Sequence, residues 1–378
     1  MITHRQFWWL TLLLLLMSGK LVYSEPTPPA ACEPDIWFTA VPDYGSINNL
    51  SGRVACVDTA VYRVVVYIKV GNGWWVKPTF AQPTTAIQPD GTWTADITTG
   101  GLDPTATQIA AFLIGDDISP PILGGNSTIP TTLFDDAAAY AYVPRAERQI
   151  SFSGYEWLVK QSDVKVGPGP NYFSDAEDAV WVDGDGRLHL TIQKEEGLWV
   201  STEVFTQASL GYGRYIFQTS SPIDQLDANA VLGLFTWDDF SPSDYNREID
   251  IEFARWGNAA DPTNAQFVVQ PWDQSGNLRR YTAVLTDTAA THSFDWQPDS
   301  VTFFSAPGHT LNPNPPDAFA TWVYTNTISI PDPATVNVRL NLWLLNGNAP
   351  SDGQPIEVVI EAFYFLSDEV YLPVILRP

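Results

Sequence analysis

Glu248-Ile249-Asp250-Ile251-Glu252-Phe253 alternates acid and apolar side chains residue by residue. A period of two marks a strand with one polar and one buried face, so all three carboxylates point to the same side. Like charges lined up along one face repel, and nothing in packing asks for them. The chemistry such a row suits is glycoside hydrolysis. Retention needs a carboxylate nucleophile and a protonated carboxyl acid, the two groups roughly 5–5.5 Å apart. On a flat strand rising about 3.4 Å per residue, the alpha carbons of Glu248 and Glu252 lie roughly 13 Å apart. Two long Glu side chains leaning inward on a concave sheet can close that gap. The spacing permits the retaining geometry without excluding the wider inverting one. Asp250 stands between them, placed to bond one Glu and separate the two titrations. A solvated strand face that merely carries three acids is the competing account of the hexapeptide.

Such a row needs sheets to hold it, and the chain is patterned for sheets. From about Asp35 to Asp117, short runs such as Val61-Tyr62-Arg63-Val64-Val65-Val66-Tyr67-Ile68 are separated by turn signals. Asn72-Gly73 and Asp90-Gly91 are hairpin-type dipeptides. A Gly-, Pro-, Ser- and Thr-rich stretch at 120–132 closes this block, and an Ala-rich piece at 137–141 with Pro144 leads onward. A second run of strands begins near Gln149, with turns at Asp183-Gly184-Asp185-Gly186 and Ser275-Gly276-Asn277. No helical periodicity of useful length and no repeat of 20–50 residues is apparent. The expectation is an all-β protein with a smaller N-terminal β-sandwich module at 32–118, a linker at 119–147 and a larger β domain at 148–378.

At 378 residues the chain can fill two ordinary cores. Its 19 Lys plus Arg against 43 Asp plus Glu give a net charge of −24, although charged residues total only 16%. Such a surface repels nucleic acid and anionic membranes, and is compatible with a neutral polymer. Fifteen Trp and fifteen Tyr suit stacking on sugar rings, but large β cores also consume aromatics. Arg5 precedes an almost wholly apolar Phe7–Met17, the length of an export signal's core and too short to span a bilayer. Residues 1–24 are therefore expected to be a signal peptide ending at Val22-Tyr23-Ser24. The mature protein is expected to be secreted or held at the cell surface, monomeric and without stable membrane insertion. A lipoprotein would use Cys32, but Pro29 stands where that signal usually has Leu. Cys32 and Cys56 are the only cysteines, and in an exported protein they can form one disulfide or remain two thiols.

Other constellations are thin. His189, His292 and His309 are not spaced as metal ligands, and neither a G-x-S-x-G elbow nor a P-loop occurs. No cofactor is expected. The Asp183–Gly186 turn can accommodate a structural calcium that the chemistry does not need, though a plain turn explains it equally.

The residues around the acid row carry a family resemblance. From about 150 to 366 the chain resembles glycoside hydrolase family sixteen, most closely its bacterial licheninase branch. Phe235-Thr236-Trp237 precedes the E-x-D-x-E signature at Glu248–Glu252, and Phe294-Asp295-Trp296-Gln297-Pro298 and then Asn341-Leu342-Trp343 follow. Upstream, Gly169-Pro170-Asn171-Tyr172-Phe173-Ser174 and Tyr212-Gly213-Arg214-Tyr215 also fit the family pattern. The ordered set is specific where each piece alone is weak.

The resemblance implies an antiparallel jelly-roll β-sandwich with a cleft across its concave face. It makes Glu248 the nucleophile, Glu252 the acid and base, and Asp250 an assistant that bonds its neighbours. Trp237 falls at an aromatic stacking position where licheninases usually carry Tyr. Glu203 stands where a cleft carboxylate holds sugar hydroxyls, Asn171 where an Asn bonds a glucosyl unit, and Asn341 and Trp343 match a sugar-contacting pair. Core packing for the two Trp, and a turn for Asn171, are the plainer alternatives.

Several positions depart from the licheninase pattern. Phe205 replaces an Arg, Asn246 a Trp, Val268 an Asn and Gln270 a Tyr, and Arg255-Trp256-Gly257 is unlike that branch. Loss of several donors changes the hydroxyl pattern recognised. The implied activity is an endo-acting β-glucan hydrolase, with mixed β-1,3-1,4-glucan as first choice of substrate and β-1,3-glucan second. A sugar-binding sandwich without catalysis and a transglycosylase remain alternatives. The N-terminal module has no family attached; Trp74-Trp75 is its one feature that suggests carbohydrate binding, and a structural or attachment role is preferred.

Overall fold

Alternation along the strands of the larger domain is what divides its side chains between core and cleft. The computed structural model describes residues 32–241 and 245–367. The expected signal peptide at 1–24 and the end of the larger domain, 368–378, lie outside the described residues. One sheet of the larger sandwich runs in the order Gln149–Phe152, Tyr155–Val159, Leu198–Thr206, Asn337–Leu344, Ala230–Trp237, Ile249–Ala254, Ala265–Val269, Leu278–Tyr281. The other runs Val180–Val182, Leu188–Glu195, Ile356–Ser367, Gly213–Ser220, Ala289–Trp296, Val301–Pro307, Ala320–Tyr324. These pairings are antiparallel. Leu188–Glu195 also pairs with Leu198–Thr206, joining both sheets into one 17-stranded hydrogen-bonded system. The result is the expected jelly-roll sandwich.

Between the sheets, Leu232, Leu234, Ile249, Ile251, Phe253, Phe267, Leu340 and Leu342 meet Tyr215, Phe217, Phe294, Trp296, Phe303 and Phe363. Much of the aromatic content is consumed here, with Tyr215 stacked on Phe294 at 4.7 Å. The residues in between on the first sheet face outward onto the cleft.

In the N-terminal sandwich a three-stranded sheet (Asp35–Ala40, Leu50–Ala55, Thr92–Ala95) accompanies a six-stranded one built around Tyr62–Val70 and Gln108–Gly115. Val64 to Ile68 are completely buried in succession, because both faces of this strand are covered. The expected linker at 119–147 is corrected. Gly124–Asn126 pairs with Gly73–Lys77, Ala139–Pro144 pairs with Gln108–Gly115, and Thr131–Asp136 is a short helix. Leu123, Ile129 and Leu133 from this stretch bury in the second core. Its apolar residues are too scattered between Gly and Pro for a strand pattern to register, yet each fills a place under the sheet. Phe240 of the larger sandwich enters the same core, and the described residues from Pro34 onward form one compact unit.

Cys32 and Cys56 are both disulfide-bonded. Trp74 is buried and Trp75 exposed, as alternation along Gly73–Lys77 requires. Among the described residues no helix is long and apolar enough to cross a membrane.

Candidate active site

A tight turn launches the acid strand. Asn246 and Arg247 adopt φ of 49° and 54°, and Glu248 N–H donates to Tyr245 O at 3.1 Å. Thr236 on the neighbouring strand fixes the exit: its hydroxyl donates to Arg247 O and accepts from Ile249 N–H, both at 3.0 Å. Arg247 is tied down by Asp238 at 2.7 Å. Gln270 N–H then donates to Glu248 O at 3.1 Å, so Glu248 is registered although the strand proper spans Ile249–Ala254.

Across the sheet Gly233 lies opposite Glu252 on one side and Asn341 on the other. A β-carbon at Gly233 would come within 2.5 Å of Asn341 Oδ1. The missing side chain is therefore what gives Asn341 its place and leaves the cleft floor open.

Glu248, Asp250 and Glu252 line a pocket of about 340 Å³ with Glu203, Asn341, Trp237, Trp343, Phe235, Asp239, Lys160 and Arg339. The structure thus brings together every site residue read from the sequence except Asn171. That side chain is buried away from the pocket. Its amide donates to Pro168 O and Leu344 O, both at 2.8 Å, and its oxygen accepts from Ser201 Oγ at 3.1 Å. Asn171 opens the short strand Asn171–Phe173, not a turn, and braces the Gly167-Pro168 segment, which lines the pocket.

Burial raises every carboxyl of the row. Glu248 is pushed up to about 8, Glu252 to about 7 and Asp250 well above the usual range, desolvation being the chief cause for each. Asp250 is also raised by the charges of Glu248 and Glu252. Gln270 Nε2 donates to Asp250 Oδ2 at 3.1 Å, and Trp272 N–H occupies Gln270 Oε1, which fixes the amide's orientation. The other Asp250 oxygen is left to carry the proton it donates to Glu248, a bond that favours Glu248 as the ionised partner. Glu252 is oriented the same way. Gln266 Nε2 donates to Glu252 Oε2 at 2.7 Å, while Trp256 Nε1 and Arg280 Nη1 both donate to Gln266 Oε1.

The facing wall has the opposite character. Glu203, only 1% exposed, accepts from Arg339 at 2.8 Å, Lys160 at 3.1 Å and Asn341 at 3.2 Å. Burial pushes its carboxyl up, but the two cations outweigh it and hold the group below its ordinary range. Asp239 is likewise lowered against its burial, chiefly by Arg339, to which it is ion-paired. Trp237 Nε1 donates to Asp239 Oδ1 at 3.0 Å, which sets the indole plane at the pocket edge. Arg339 stacks on Phe205, 4.7 Å from the ring centroid, and lies directly across from it in the sheet.

Sequence reasoning missed Arg339, Asp239 and Lys160, and took neither Gln266, retained from the family pattern, nor Gln270, a departure from it, as a positioning amide. Period two could have found most of them. Arg339 shares a face with Asn341 and Trp343, Asp239 follows Trp237 by two, and Gln266 and Gln270 bracket Val268 on one face. Lys160 carries no such signal. His189 bonds Asp183 at 3.1 Å and Glu357, and the Asp183–Gly186 turn is clasped by Arg187. Among the described residues no group of three or more His, Cys, Asp or Glu is arranged to hold a metal ion.

No family model matches the chain, and no curated protein matches it in sequence. Solved structures similar to it are glucanases of the GH16 type. The Bacillus licheniformis beta-glucanase is 19% identical, covering 56% of this chain and 92% of its own, at a TM-score of 0.42. The Bacteroides ovatus mixed linkage glucan GH16, in complex with a G4G4G3G product, is 16% identical, covering 56% and 94%, at 0.42. An immunostimulatory antigen and pseudo beta-1,3-glucanase of Mycobacterium tuberculosis is 16% identical, covering 56% and 91%, at 0.42. What the site does is read from its own geometry.

Proposed function

We propose that this chain is an exported endo-acting glycoside hydrolase that cleaves a β-linked glucan with retention. Mixed β-1,3-1,4-glucan is the first choice of substrate and β-1,3-glucan the second. The observation that carries this is the acid row itself: three carboxyls raised by burial in one pocket, with Trp237 and Trp343 in its lining.

In this mechanism the sugar ring stacks on Trp237 with its anomeric carbon over Glu248. Glu248 reacts from its ionised form, a minor share near neutrality for a carboxyl raised to about 8, in which it accepts the proton-bearing bond from Asp250 and attacks that carbon as the bond to the leaving oxygen breaks. Glu252 gives its proton to the leaving oxygen, and a carboxyl raised to about 7 still holds that proton near neutrality. A glycosyl ester on Glu248 results. Glu252, now ionised, takes a proton from water, whose oxygen attacks the same carbon and releases Glu248. Asn341 Oδ1 has no protein partner and is suited to accept from a sugar hydroxyl.

Product release from mixed-linkage glucan, laminarin, xyloglucan and agarose, with Glu248→Gln beside the unaltered protein, tests this. Cleavage of one β-glucan, lost in the variant, is the expected result. Binding without cleavage by both proteins would leave a non-catalytic polysaccharide-binding sandwich instead.

A further inference from the structure

The cleft does not stop at the catalytic pocket. Lys160, Gly167, Asp239 and Arg339 also line a second cavity of about 550 Å³, and its far side is N-terminal sandwich: Lys69, Asn72 and Gln108. Each cavity falls within the range of small-ligand sites, and the four shared residues set the two side by side.

The far wall is fixed in place. Phe240, next to Asp239, is 4% exposed and packs among Trp74, Phe112, Phe134, Tyr140 and Tyr142 of the N-terminal sandwich, with ring centroids 4.8 to 6.1 Å away. Tyr142 Oη donates to Asp239 Oδ2 at 3.4 Å. The seam is a shared aromatic core, so the orientation of the N-terminal wall toward Asp239 and Arg339 is built in.

The lining is rich in hydrogen-bonding groups. Asn72 and Gln161 face each side of the groove and are exposed, while Gln108 Oε1 is a buried acceptor with no protein partner. Its cations are offset where the cavities meet, Arg339 and Lys160 by Glu203 and Asp239. With a net charge of −24 on the whole chain, an uncharged polymer fits this lining better than a polyanion.

We propose that the inter-sandwich groove is a glycan-binding extension of the cleft. In it the N-terminal sandwich holds further units of the same neutral polysaccharide whose scissile bond lies over Glu248 and Glu252. The N-terminal sandwich is then part of the substrate site. This rests on the function proposed for the pocket.

The test is calorimetric binding to the full-length Glu248→Gln protein, so that ligand stays intact, using tri- and heptasaccharides of mixed-linkage and β-1,3-glucan. The parent is expected to bind the heptasaccharide more tightly than the trisaccharide. Asn72→Ala with Gln161→Ala, two exposed positions, should weaken the heptasaccharide by about tenfold and leave the trisaccharide within about twofold. Asn72→Trp, which crowds the groove instead, should do the same. No gain with length in the parent, a gain that survives both variants, or no binding of either length overturns the proposal. A length gain lost in the variants, together with no cleavage by the unaltered protein, would sustain the groove and sink the hydrolase. Cleavage without a length gain would do the reverse.

Discussion

Two walls of one pocket carry buried carboxyls, and they behave oppositely. Glu248, Asp250 and Glu252 have neutral Gln amides or one another as hydrogen-bond partners, and all three are raised. Glu203 and Asp239 are also removed from water, yet Arg339 and Lys160 bond to them and both are lowered. Burial acts in the same direction on all five. Among these five, the two with a bonded cation are the two that move down, although a cation alone does not suffice, since Asp238 stays raised beside Arg247. One wall therefore holds protons, and the other holds fixed charge that orients Trp237 and Asn341. A carboxyl in a cleft is assigned to chemistry or to architecture by its partner, not by its depth.

The largest effect should come from the proton-storing wall. Glu248→Gln is expected to lower kcat at least about 10³-fold, and Glu252→Gln by about 10²–10⁴-fold, the range for losing a positioned acid–base group. Both variants should stay folded and gain on the order of 1 kcal/mol at pH 8, or about 2–4 °C in melting temperature, because a buried charge has been removed. A variant that loses activity and also melts lower would show that the row is structural.

The charge-storing wall should break the other way. Arg339→Met leaves Glu203 and Asp239 buried without their shared cation, and about 3–5 kcal/mol of stability should go with it. Denaturant unfolding reads this directly. Adding Glu203→Gln and Asp239→Asn should restore most of the loss, since it removes the unpaired charges. No recovery in the triple variant would mean that Arg339 acts through its packing on Phe205 and not through charge.

The contrast also fixes a pH signature. Groups raised in the folded state bind more protons than the unfolded chain, so the acid row's contribution is complete below its ordinary range of about 4. It is lost as pH climbs through about 7 and 8. Glu203 and Asp239 are lowered, so theirs is present above that range and lost as acid titrates them. The melting temperature should therefore peak at mildly acidic pH and fall toward pH 8. In a Glu248→Gln, Asp250→Asn double variant the alkaline fall should flatten while the acid fall remains. An alkaline slope identical to the unaltered protein would sever the row from that loss.

The acid strand was legible because alternation of charge with Ile and Phe leaves only one arrangement of faces. The all-β character of its surroundings was legible for the same reason, whereas the jelly-roll arrangement came from the family resemblance. Asn171 was placed by motif spacing alone, and spacing cannot tell a side chain that faces sugar from one that braces the turn beneath. The 119–147 stretch hid its strands because Gly, Pro and Ala mask a period of two even where the backbone pairs. The charge-storing wall was invisible as a unit: Lys160, Glu203, Asp239 and Arg339 come from four distant segments, and only folding brings them together. Phe240 was hidden likewise, since nothing local says that a residue after Trp237 belongs to another core.

The smallest effect tests how finely the proton-storing wall is tuned. Gln266 donates to Glu252 at 2.7 Å and thereby favours its ionised form. Trp256 and Arg280 hold the amide oxygen, so the amide cannot turn over to offer Glu252 an acceptor. Gln266→Met removes the donor with little change in volume, and the carboxyl should rise further, by about one pH unit for one hydrogen bond to a charged group. Activity falls at alkaline pH when Glu252 loses its proton, so the alkaline limb of kcat/KM should move upward by about that unit. The maximal rate should drop no more than about tenfold, because the acid keeps its place on the strand. A rate loss with an unmoved limb would make Gln266 a packing residue, and a downward shift would mean that Glu252 is not the acid whose titration the alkaline limb reports.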